Sequence, residues 1–483
     1  MKILGNIIIL FLLVLTSCSG FLDEVDQDKF IPSTADHYAA LLLNEFNAST
    51  TVMTGVQYMT DEVQETTDKV GDANSRANVK PLYTWQKDIE LNMETGARIS
   101  NNTAWQGLYR DIAVANYVIE LIGTAEGSVE EINAVKGEAY FIRAWCYWCL
   151  TNLYAEPYLD AEQAKRTYGV PLRTDIGVNT TYDKSMLYDC YRTIESDLEE
   201  AKKLLTVGGT PKSIYHPTVK ACDLLESRVR LYKKEYDAVI EVATNVITGS
   251  YLKKLQPKDT LFISLDNPEV LYSYCTSSSG NVSPSASLVV NPDLVSSYDE
   301  SDLRGSVFFW TSVNKENGKV SVYSNKGNSK YTKLGRGNLR VAEAYLNRAE
   351  AYAYLDKLSE AKADIQELLK NRYSDVSKIV IPTERMELIR FIRQERFKEL
   401  CFEEYHRWFD LRRMEESERP EIVHRFTEVD VDGNILGVET YKLLRNDRNY
   451  TLSVPYTEKD NNAFIRDYER FDKLPDYDAE VIF

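Results

Sequence analysis

The most enzyme-like pattern in this sequence is a group of acidic and basic residues between positions 395 and 410. Two carboxylates can serve as the acid and base of a glycoside hydrolase when they flank a cleft. Glu395 and Glu399, however, share one helical stripe with the apolar Leu388, which turns both carboxylates towards neighbouring helices. A buried carboxylate needs a cation or several hydrogen-bond donors. We therefore predict a structural ion network, consisting of Glu395, Arg396, Glu399, Arg407 and Asp410, with Arg348 as a further candidate partner.

The cysteines and histidines show no catalytic or metal-binding pattern. The four histidines are far apart in the sequence and form no HExxH-type spacing. Cys401 and His406 share one predicted helix, but no third residue is placed to orient them as a nucleophile and base. Cys146 and Cys149 form a CxxC on the apolar stripe of a long helix, without the βαβ context of a redox motif. We interpret this pair as core residues and predict no metal and no cofactor.

The elements that must position these residues are mostly helices. Apolar residues recur at helical spacing over about 103–122, 130–154, 185–206, 218–233, 235–249, 338–355 and 358–373. Short turns between paired helices and small residues at their crossing points are typical of tetratricopeptide hairpins, whose period is about 34 residues. The sequence thus predicts a mainly α fold, built on a tetratricopeptide-like helical-repeat scaffold of about four helix pairs.

Two stretches interrupt the helical pattern. Residues 251–335 are rich in Ser, Gly and Asn and contain short strand-like pieces. Residues 414–483 contain Asp432-Gly433, a predicted hairpin turn between two alternating strands, and then YTLSVP, which we predict to be a further strand. We expect both to form an irregular, partly β second lobe. The predicted division is a signal peptide (1–17), an N-terminal helical region (18–250), an irregular insertion (251–335), a C-terminal helix pair with one further helix (336–413) and a mixed segment (414–483).

The N-terminus has the pattern of a secretion signal. Residues 3–15 form an apolar stretch shorter than the roughly 20 residues that span a bilayer, which fits the hydrophobic region of a signal peptide. The following LTSC looks like a bacterial lipobox, in which the thiol of Cys18 is acylated. The alternative is an ordinary signal peptide with a chance cysteine at the cleavage site. We predict that Cys18 anchors the mature chain to a membrane.

The charge balance restricts the partners. Lys and Arg number 57 against 74 Asp and Glu, which gives a formal net charge of −17. Nucleic-acid binding depends on clustered cations that neutralise phosphates, so we predict no nucleic-acid partner. The same balance favours a neutral or weakly charged ligand over a sulfated or uronic one.

Several segments, taken in order, resemble the SusD/RagB family. They are the lipobox with FLDE, WQGLYRDIAVANYVIELI, VKGEAYFIRAWCYWCLTNLY, ESDLEEAKKLL, VAEAYLNRAEAYA, IRQERFKELCFEEYHRWFDLRRM and YTLSVP. Tyr405 stands where the family usually has Gly, and the central insertion aligns with no family motif. The resemblance implies a non-catalytic nutrient-binding lipoprotein of the outer membrane, facing the outside of the cell. It also implies a SusC-like TonB-dependent transporter as partner and a glycan, or in some members a peptide, as ligand.

Glycan binding directs attention to aromatic rings outside the helices, since flat rings stack on the apolar faces of sugars. Trp85 follows a polar stretch, and Trp310 lies in the non-helical insertion. Exposed loop aromatics on a rigid scaffold are reasonable binding residues, although both rings could instead fill interfaces between lobes. The predicted ligand contacts are Trp85, Tyr83, Trp310, Asp72, Asn74 and Arg76.

The sequence therefore predicts an outer-membrane lipoprotein that binds an oligo- or polysaccharide and delivers it to a transporter. Three alternatives remain open. The protein could bind peptides within the same family, it could be a lipid-anchored surface glycoside hydrolase, or it could be a repeat scaffold that binds only other proteins.

Overall fold

The computed structural model describes residues 31–47, 55–66, 71–177, 182–274, 284–326, 337–430 and 434–478. The predicted signal peptide, Cys18 and the Asp432-Gly433 turn lie outside these ranges. The α-helices are α1 (Ala35–Leu42), α2 (Ala73–Tyr83), α3 (Ala104–Leu121), α4 (Val129–Tyr154), α5 (Ala161–Ala164), α6 (Leu187–Gly208), α7 (Val219–Tyr232), α8 (Tyr236–Ile247), α9 (Pro292–Ser296), α10 (Arg304–Phe308), α11 (Val341–Tyr354), α12 (Leu358–Lys370), α13 (Arg385–Leu400), α14 (His406–Arg413) and α15 (Tyr456–Asn461).

Short strands form small antiparallel sheets. The strands are β1 (Val63–Glu65), β2 (Val270–Tyr274), β3 (Leu288–Val290), β4 (Phe309–Val313), β5 (Val320–Ser324), β6 (Gly337–Arg340), β7 (Ile422–Val429), β8 (Ile435–Leu443) and β9 (Asp476–Asp478). Among the described residues they pair as β1–β3, β2–β6, β4–β5 and β7–β8–β9. The fold is mainly α, as the helical spacing predicted, with a small β contribution.

The longer helices between α3 and α13 pack against one another in chain order. Helix α4 packs against α3 and α6, α7 packs against α6 and α8, and α11 packs against α8, α12 and α13. The C-terminal half of α4 is buried on all sides, because it lies between neighbours on both of its apolar faces. At its other end, Ser128 and Glu131 form a capping box that satisfies two backbone N–H groups.

The two clearest helix hairpins, α7–α8 and α11–α12, turn in the same way. Each turn contains one non-glycine residue in the left-handed region, Lys234 at φ 62° and Asp356 at φ 60°. Small side chains lie where α11 meets its neighbours, since Ala342, Ala349 and Ala353 are fully buried. Both features are those of a tetratricopeptide-like scaffold, in which close helix approach requires small residues.

The segment that was predicted as one helix through Cys401 and His406 is broken. Helix α13 ends at Leu400 and α14 begins at His406. Lys326 donates to the carbonyls of Glu399 and Cys401, at 2.6 and 3.1 Å, and so satisfies the end of α13 from another part of the chain. The connection then passes through the left-handed region at Phe402 and Glu404, at φ 57° and 46°.

The YTLSVP segment is not a strand, contrary to the prediction. Residues 451–455 are irregular and lie against the end of α4. The Leu452 amide donates to the Leu153 carbonyl at 2.9 Å, and the Asn102 side chain donates to the Ser453 carbonyl at 2.9 Å. Leu452 and Val454 are buried in the core, so the alternating pattern reflects packing on a helix end.

The free cysteines of the described residues are buried in this helical core. Cys146 and Cys149 lie on the buried face of α4, as predicted. Burial raises the pKa of the Cys190 and Cys401 thiols to about 11, which makes them poor nucleophiles at neutral pH. Within the described ranges, no helix is both long and apolar enough to cross a membrane.

Candidate functional site

A cleft of about 1000 Å³ opens where five of the short strands meet. Strands β1 and β3 form one side, with Val63 opposite Val290, and β7 and β8 form another. Strand β5 closes the third side. The lining mixes valines with hydroxyl, amide and charged groups, namely Gln64, Glu65, Thr66, Tyr83, Val289, Val290, Pro292, Val295, Ser296, Val320, Ser321, Val322, Val423, Arg425, Thr427, Val438 and Thr440.

Strands β4 and β5 form a hairpin that carries an aromatic pair, Trp310 and Tyr323, which we call the aromatic platform. The two residues are directly opposite in the strand register, and their ring centroids are 4.6 Å apart at an interplanar angle of 26°. Trp310 is 48% exposed. Because alternate residues of a strand point to opposite faces, the platform lies on the face away from Val322, which packs on the core.

The base of this hairpin is fixed to the body of the protein. The Asn325 amide donates to the Phe308 carbonyl at 2.7 Å, and its side chain donates to the Thr260 carbonyl at 2.7 Å. At the other end, the tip turns at Gly318, whose φ of 73° is in the region that favours glycine. The platform is therefore presented by a short, anchored arm.

Trp85 does not reach solvent, and the prediction that it contacts ligand is wrong. Its exposed fraction is 0%, and its indole N–H donates to the Met59 carbonyl at 2.8 Å. The chain turns inward directly after α2, with Trp85 at φ 52°. The His424 ring stacks on both Tyr83 and Trp85, with centroids 4.1 and 4.3 Å apart. Trp85 thus fills an interface, which was the alternative left open by the sequence.

The remaining predicted contacts before Trp85 are divided between surface and interior. Asp72 caps α2 by accepting from the Ser75 amide at 2.9 Å, and Asn74 is exposed in the first turn. Neither is among the residues that line the cleft. Tyr83 does line it, but its ring is 1% exposed and its hydroxyl accepts from the Glu65 amide at 2.8 Å.

Arg76 is buried behind the cleft, so its predicted role as a ligand contact is also wrong. It donates to Glu65 at 2.7 Å and to the Thr427 carbonyl, and thereby ties β1 to β7. Burial raises the pKa of Glu65, while Arg76 and the Thr427 amide act in the opposite direction. The Arg76 guanidinium lies 4.6 Å from the centre of the Phe426 ring. The wall of the cleft is therefore held by internal ion pairs.

The carboxylates at 395 and 399 belong to a fully paired group that we call the first charge cluster. Glu395 accepts from Arg304 at 2.6 Å, and Glu399 accepts from Arg372 and Arg340 at 2.9 and 3.0 Å. Five acids and five bases balance each other in it, namely Glu269, Asp302, Glu395, Glu399, Glu403, Arg304, Lys326, Arg340, Arg372 and Lys398.

The predicted partners of Glu395 and Glu399 pair elsewhere. Arg396 donates to Asp410 at 2.8 Å, Arg407 pairs with Asp61 at 2.5 Å, and Arg348 pairs with Asp364 at 2.6 Å. Arg396 and Asp410 belong to a second charge cluster beside the first. It contains four acids and four bases, namely Glu343, Glu350, Glu404, Asp410, Arg228, Arg393, Arg396 and Arg413.

The carboxyls of these clusters have pKa values shifted in both directions: burial raises that of Glu404, whereas neighbouring guanidinium groups lower those of other members. A glycosidase acid needs a carboxyl whose pKa is raised, so that it holds a proton near neutral pH. Arg372 and Arg340 instead hold the pKa of Glu399 well below its usual range, and Arg340 lowers that of Glu403. Arg413 and Arg393 lower the pKa of Glu350 to about 2. In the described part of the chain, no His, Cys, Asp and Glu side chains are grouped as a metal site.

The sequence reasoning missed three important residues. Tyr323 was missed although SVFFWTSV and GKVSVYS both alternate, a pattern that places it across from Trp310 in a hairpin. Arg304 and Lys326 were missed because they lie in the insertion, far in sequence from the carboxylates that they neutralise. No local signal identifies such partners.

Two family models match consecutive parts of this chain. The model described as "Starch-binding associating with outer membrane" matches residues 20–231, and the model described as "SusD family" matches residues 270–470. Among curated proteins, SusD-like protein P25 of Formosa agariphila is 22% identical over 289 residues, which are 56% of this chain and 52% of that protein. SusD-like protein P2 of the same organism is 25% identical over 203 residues, 41% of this chain and 37% of that protein. The chain thus matches about half, or less, of these relatives' length.

Solved structures share the fold at low identity. A SusD superfamily protein from Bacteroides thetaiotaomicron superposes with a TM-score of 0.67 at 21% identity, covering 90% of this chain and 100% of its own. A SusD-like carbohydrate binding protein from Bacteroides vulgatus superposes with a TM-score of 0.67 at 19% identity, and the match covers 92% of this chain and 99% of that protein. At this level of identity the likeness establishes the helical architecture.

Proposed function

Because this chain belongs to the SusD/RagB family, we propose that it binds a neutral oligo- or polysaccharide as a nutrient. Family models and relatives whose descriptions mention starch or carbohydrate binding support this ligand class. The single observation that carries the proposal is the aromatic platform, a stacked Trp310–Tyr323 pair on an anchored arm, in which Trp310 is about half exposed to solvent.

The platform supplies what a sugar ring needs. A pyranose has an apolar face that packs on an aromatic ring, and an indole offers a large, rigid surface for this contact. Neither Trp310 nor Tyr323 lines the cleft, but strand β5, which carries Tyr323, also forms a wall of it. There Gln64, Ser321 and Thr440 offer amide and hydroxyl groups to the hydroxyls of a ligand that extends from the platform. Asp72 and Asn74 are exposed and remain proposed contacts for a longer ligand. The net charge of −17 favours a neutral ligand.

The proposed setting is the outer membrane. The LTSC motif supports acylation at Cys18, and one matching family model is described as associating with the outer membrane. In this proposal the lipid tether holds the protein at the outer face, where it passes captured glycan to a SusC-like TonB-dependent transporter. The absence of catalysis is part of the same proposal.

Calorimetry with neutral glucan, xylan, mannan and galactan fragments tests the proposal. One of these ligands should bind wild-type protein, with Trp310→Ala weakening the affinity by about thirtyfold and Trp310→Phe by less. Tyr251→Ala, which removes an exposed tyrosine outside the cleft, is the matched control. Wild-type affinity in a folded Trp310→Ala protein would overturn the platform assignment. Binding of peptides alone would overturn the ligand class, and release of shortened glycan would indicate a hydrolase.

A further inference from the structure

A second pocket, of about 340 Å³, lies between α3, the segment around residues 171–173 and α15. It shares no lining residue with the cleft described above. Its volume is near the lower end of the range for small-molecule sites, which is about 300–1000 Å³. We call it the amide pocket, because three of its lining residues are Gln106, Asn461 and Asn462.

Aromatic rings form one part of its wall. Trp105 is almost fully buried, and its ring centroid is 5.0 Å from that of Tyr109. Tyr182 lies at the edge, partly exposed, with the Arg173 guanidinium 4.9 Å from its ring centre. The Tyr109 hydroxyl donates to the Pro171 carbonyl at 2.7 Å, which holds the segment against α3. The rings are thus fixed before any ligand arrives.

Polar groups on α15 face these rings and are also held in place. Glu458 accepts from the indole N–H of Trp105 at 3.4 Å and from the Asn462 side chain at 3.1 Å. Asn462 also donates to the Tyr182 carbonyl at 2.9 Å. A carboxylate has about four acceptor positions, so Glu458 retains capacity for ligand hydroxyls. Such preorganisation lowers the entropic cost of binding.

Gln106 and Asn461 supply groups that are open to a ligand. Gln106 is exposed, and its side chain has no hydrogen-bond partner among the described residues. Asn461 is exposed and uses its amide nitrogen on the Thr457 carbonyl at 2.7 Å, which leaves its side-chain oxygen as an acceptor. Each amide offers both donors and acceptors, as a ligand covered with hydroxyl groups requires.

We infer that the amide pocket is a second binding site, for one or two residues of a neutral saccharide. Aromatic rings opposite planar polar side chains suit a ring with one apolar face and a rim of hydroxyls. The two charged lining residues, Arg173 and Glu458, cancel, which disfavours an ionic ligand. The choice of a saccharide as the ligand class rests on the proposed function. The geometry of the pocket is independent of that proposal.

Saturation-transfer NMR and calorimetry on the full mature protein test this inference, with neutral mono-, di- and tetrasaccharides of glucose, xylose, mannose and galactose as probes. We expect one probe whose affinity falls about tenfold in Tyr182→Ala, because a stacking face is lost, and also falls in Gln106→Ala. The affinity for this probe should be unchanged in the Tyr251→Ala control. Should Tyr182→Ala unfold, Gln106→Ala and Asn461→Ala carry the test, since both change exposed side chains.

The outcomes separate the two sites. Binding that survives Trp310→Ala but is lost in the pocket variants supports the inference. A wild-type isotherm with two sites also supports it, if one site disappears in Trp310→Ala and the other disappears in the pocket variants. Binding that depends on Trp310 alone overturns the inference and leaves the proposed function standing. If none of the saccharides binds wild-type protein, both are overturned. Equal affinity in wild type, Tyr182→Ala and Gln106→Ala excludes the pocket.

Discussion

The β4–β5 hairpin and the first charge cluster are neighbours in the chain, yet they contrast in composition and environment. Arg304 lies shortly before β4 and Lys326 shortly after β5, and both side chains are buried in ion pairs. Between them, Trp310, Val313 and Val320 are about half exposed. Around this hairpin two charged side chains, Arg304 and Lys326, are therefore buried and the Trp310 indole is half exposed, the reverse of the usual distribution, whereas Lys315, Glu316 and Lys319 near the tip are exposed.

This contrast teaches how to interpret the chemistry-bearing residues of the sequence. The acids and bases between residues 395 and 410 look catalytic in the sequence, but in the structure they form ion pairs with partners that are buried or, for Asp61, partly exposed. We interpret them as groups that stabilise the fold. The aromatic platform consists of residue types that are usually buried, but its Trp310 ring is half exposed and so accessible to a ligand. Four expected outcomes test this division between a structural interior and a binding exterior, in order of decreasing effect.

The largest effect is expected for Glu399→Ala. Its carboxylate accepts from Arg304, Arg340 and Arg372, so its removal leaves buried guanidinium groups with too little negative charge. The free energy of unfolding, measured with urea, should fall by about 3–5 kcal/mol. Glu387→Ala, an exposed position on the same helix, should change it by less than about 0.5 kcal/mol. Equal stability of both variants would remove the structural role of the cluster.

A comparable loss is expected for Trp85→Ala. The ring is fully buried, stacks on His424 and donates to the Met59 carbonyl, so the change leaves a cavity and an unpaired carbonyl. Unfolding free energy should fall by about 3–5 kcal/mol. Glycan affinity of the folded fraction should stay at the wild-type value. A stable Trp85→Ala protein that has lost glycan binding would place the ligand site at Trp85 after all.

An acid-dependent loss of stability should follow from Glu350. Arg413 and Arg393 lower its pKa in the folded protein to about 2, from the usual 4.5 of a glutamate. A lowered carboxyl pKa stabilises the fold above the unfolded pKa, and this contribution is lost as the pH falls from about 4.5 to about 2. The loss amounts to about 3 kcal/mol, since one pKa unit is worth about 1.4 kcal/mol.

Urea unfolding of wild type and Glu350→Gln between pH 5.5 and pH 2 measures how much the Glu350 carboxylate contributes to the free energy of unfolding. The variant is less stable at pH 5.5, but its unfolding free energy should decline less steeply with acid, because one titrating group is gone. Parallel curves for the two proteins would show that Glu350 does not carry a lowered pKa.

The smallest effect on stability is expected for Trp310→Ala. The ring contacts Tyr323 and is 48% exposed, so its loss removes little buried surface. Unfolding free energy should change by less than about 1 kcal/mol, although glycan affinity falls strongly. A large destabilisation would mean that the platform serves packing, and the contrast between interior and exterior would fail.

The parts of the fold that sequence could predict are those with local periodicity. Helices α3, α4, α6, α7, α8, α11 and α12 each lie within a few residues of the predicted ranges. The exposure of Trp310 agrees with its place in the non-helical insertion, but alternation does not decide it, because residues 310–313 of β4 are all exposed. The break after Leu400 was not predictable, because it depends on Lys326 from a distant segment.

The site residues show the same limit. Trp85 follows a polar stretch and so looks like a loop aromatic, but a single turn at φ 52° directs it inward. Arg76 looks like a surface residue of α2, and only the approach of β7 and Glu65 buries it. Long-range packing decided both positions, and one sequence carries no local signal of it.

The first charge cluster also has a consequence for the order of folding. Its members come from β6, α13, both flanks of the hairpin, the residue before β2 and the segments that follow α12 and α13, so no contiguous stretch can satisfy it. An intermediate with α13 docked but the insertion loose would bury uncompensated carboxylates, at a cost of several kcal/mol. We therefore expect amide hydrogens of β6, α13 and the hairpin base to exchange in one cooperative step, as a single foldon, although the hairpin itself is exposed.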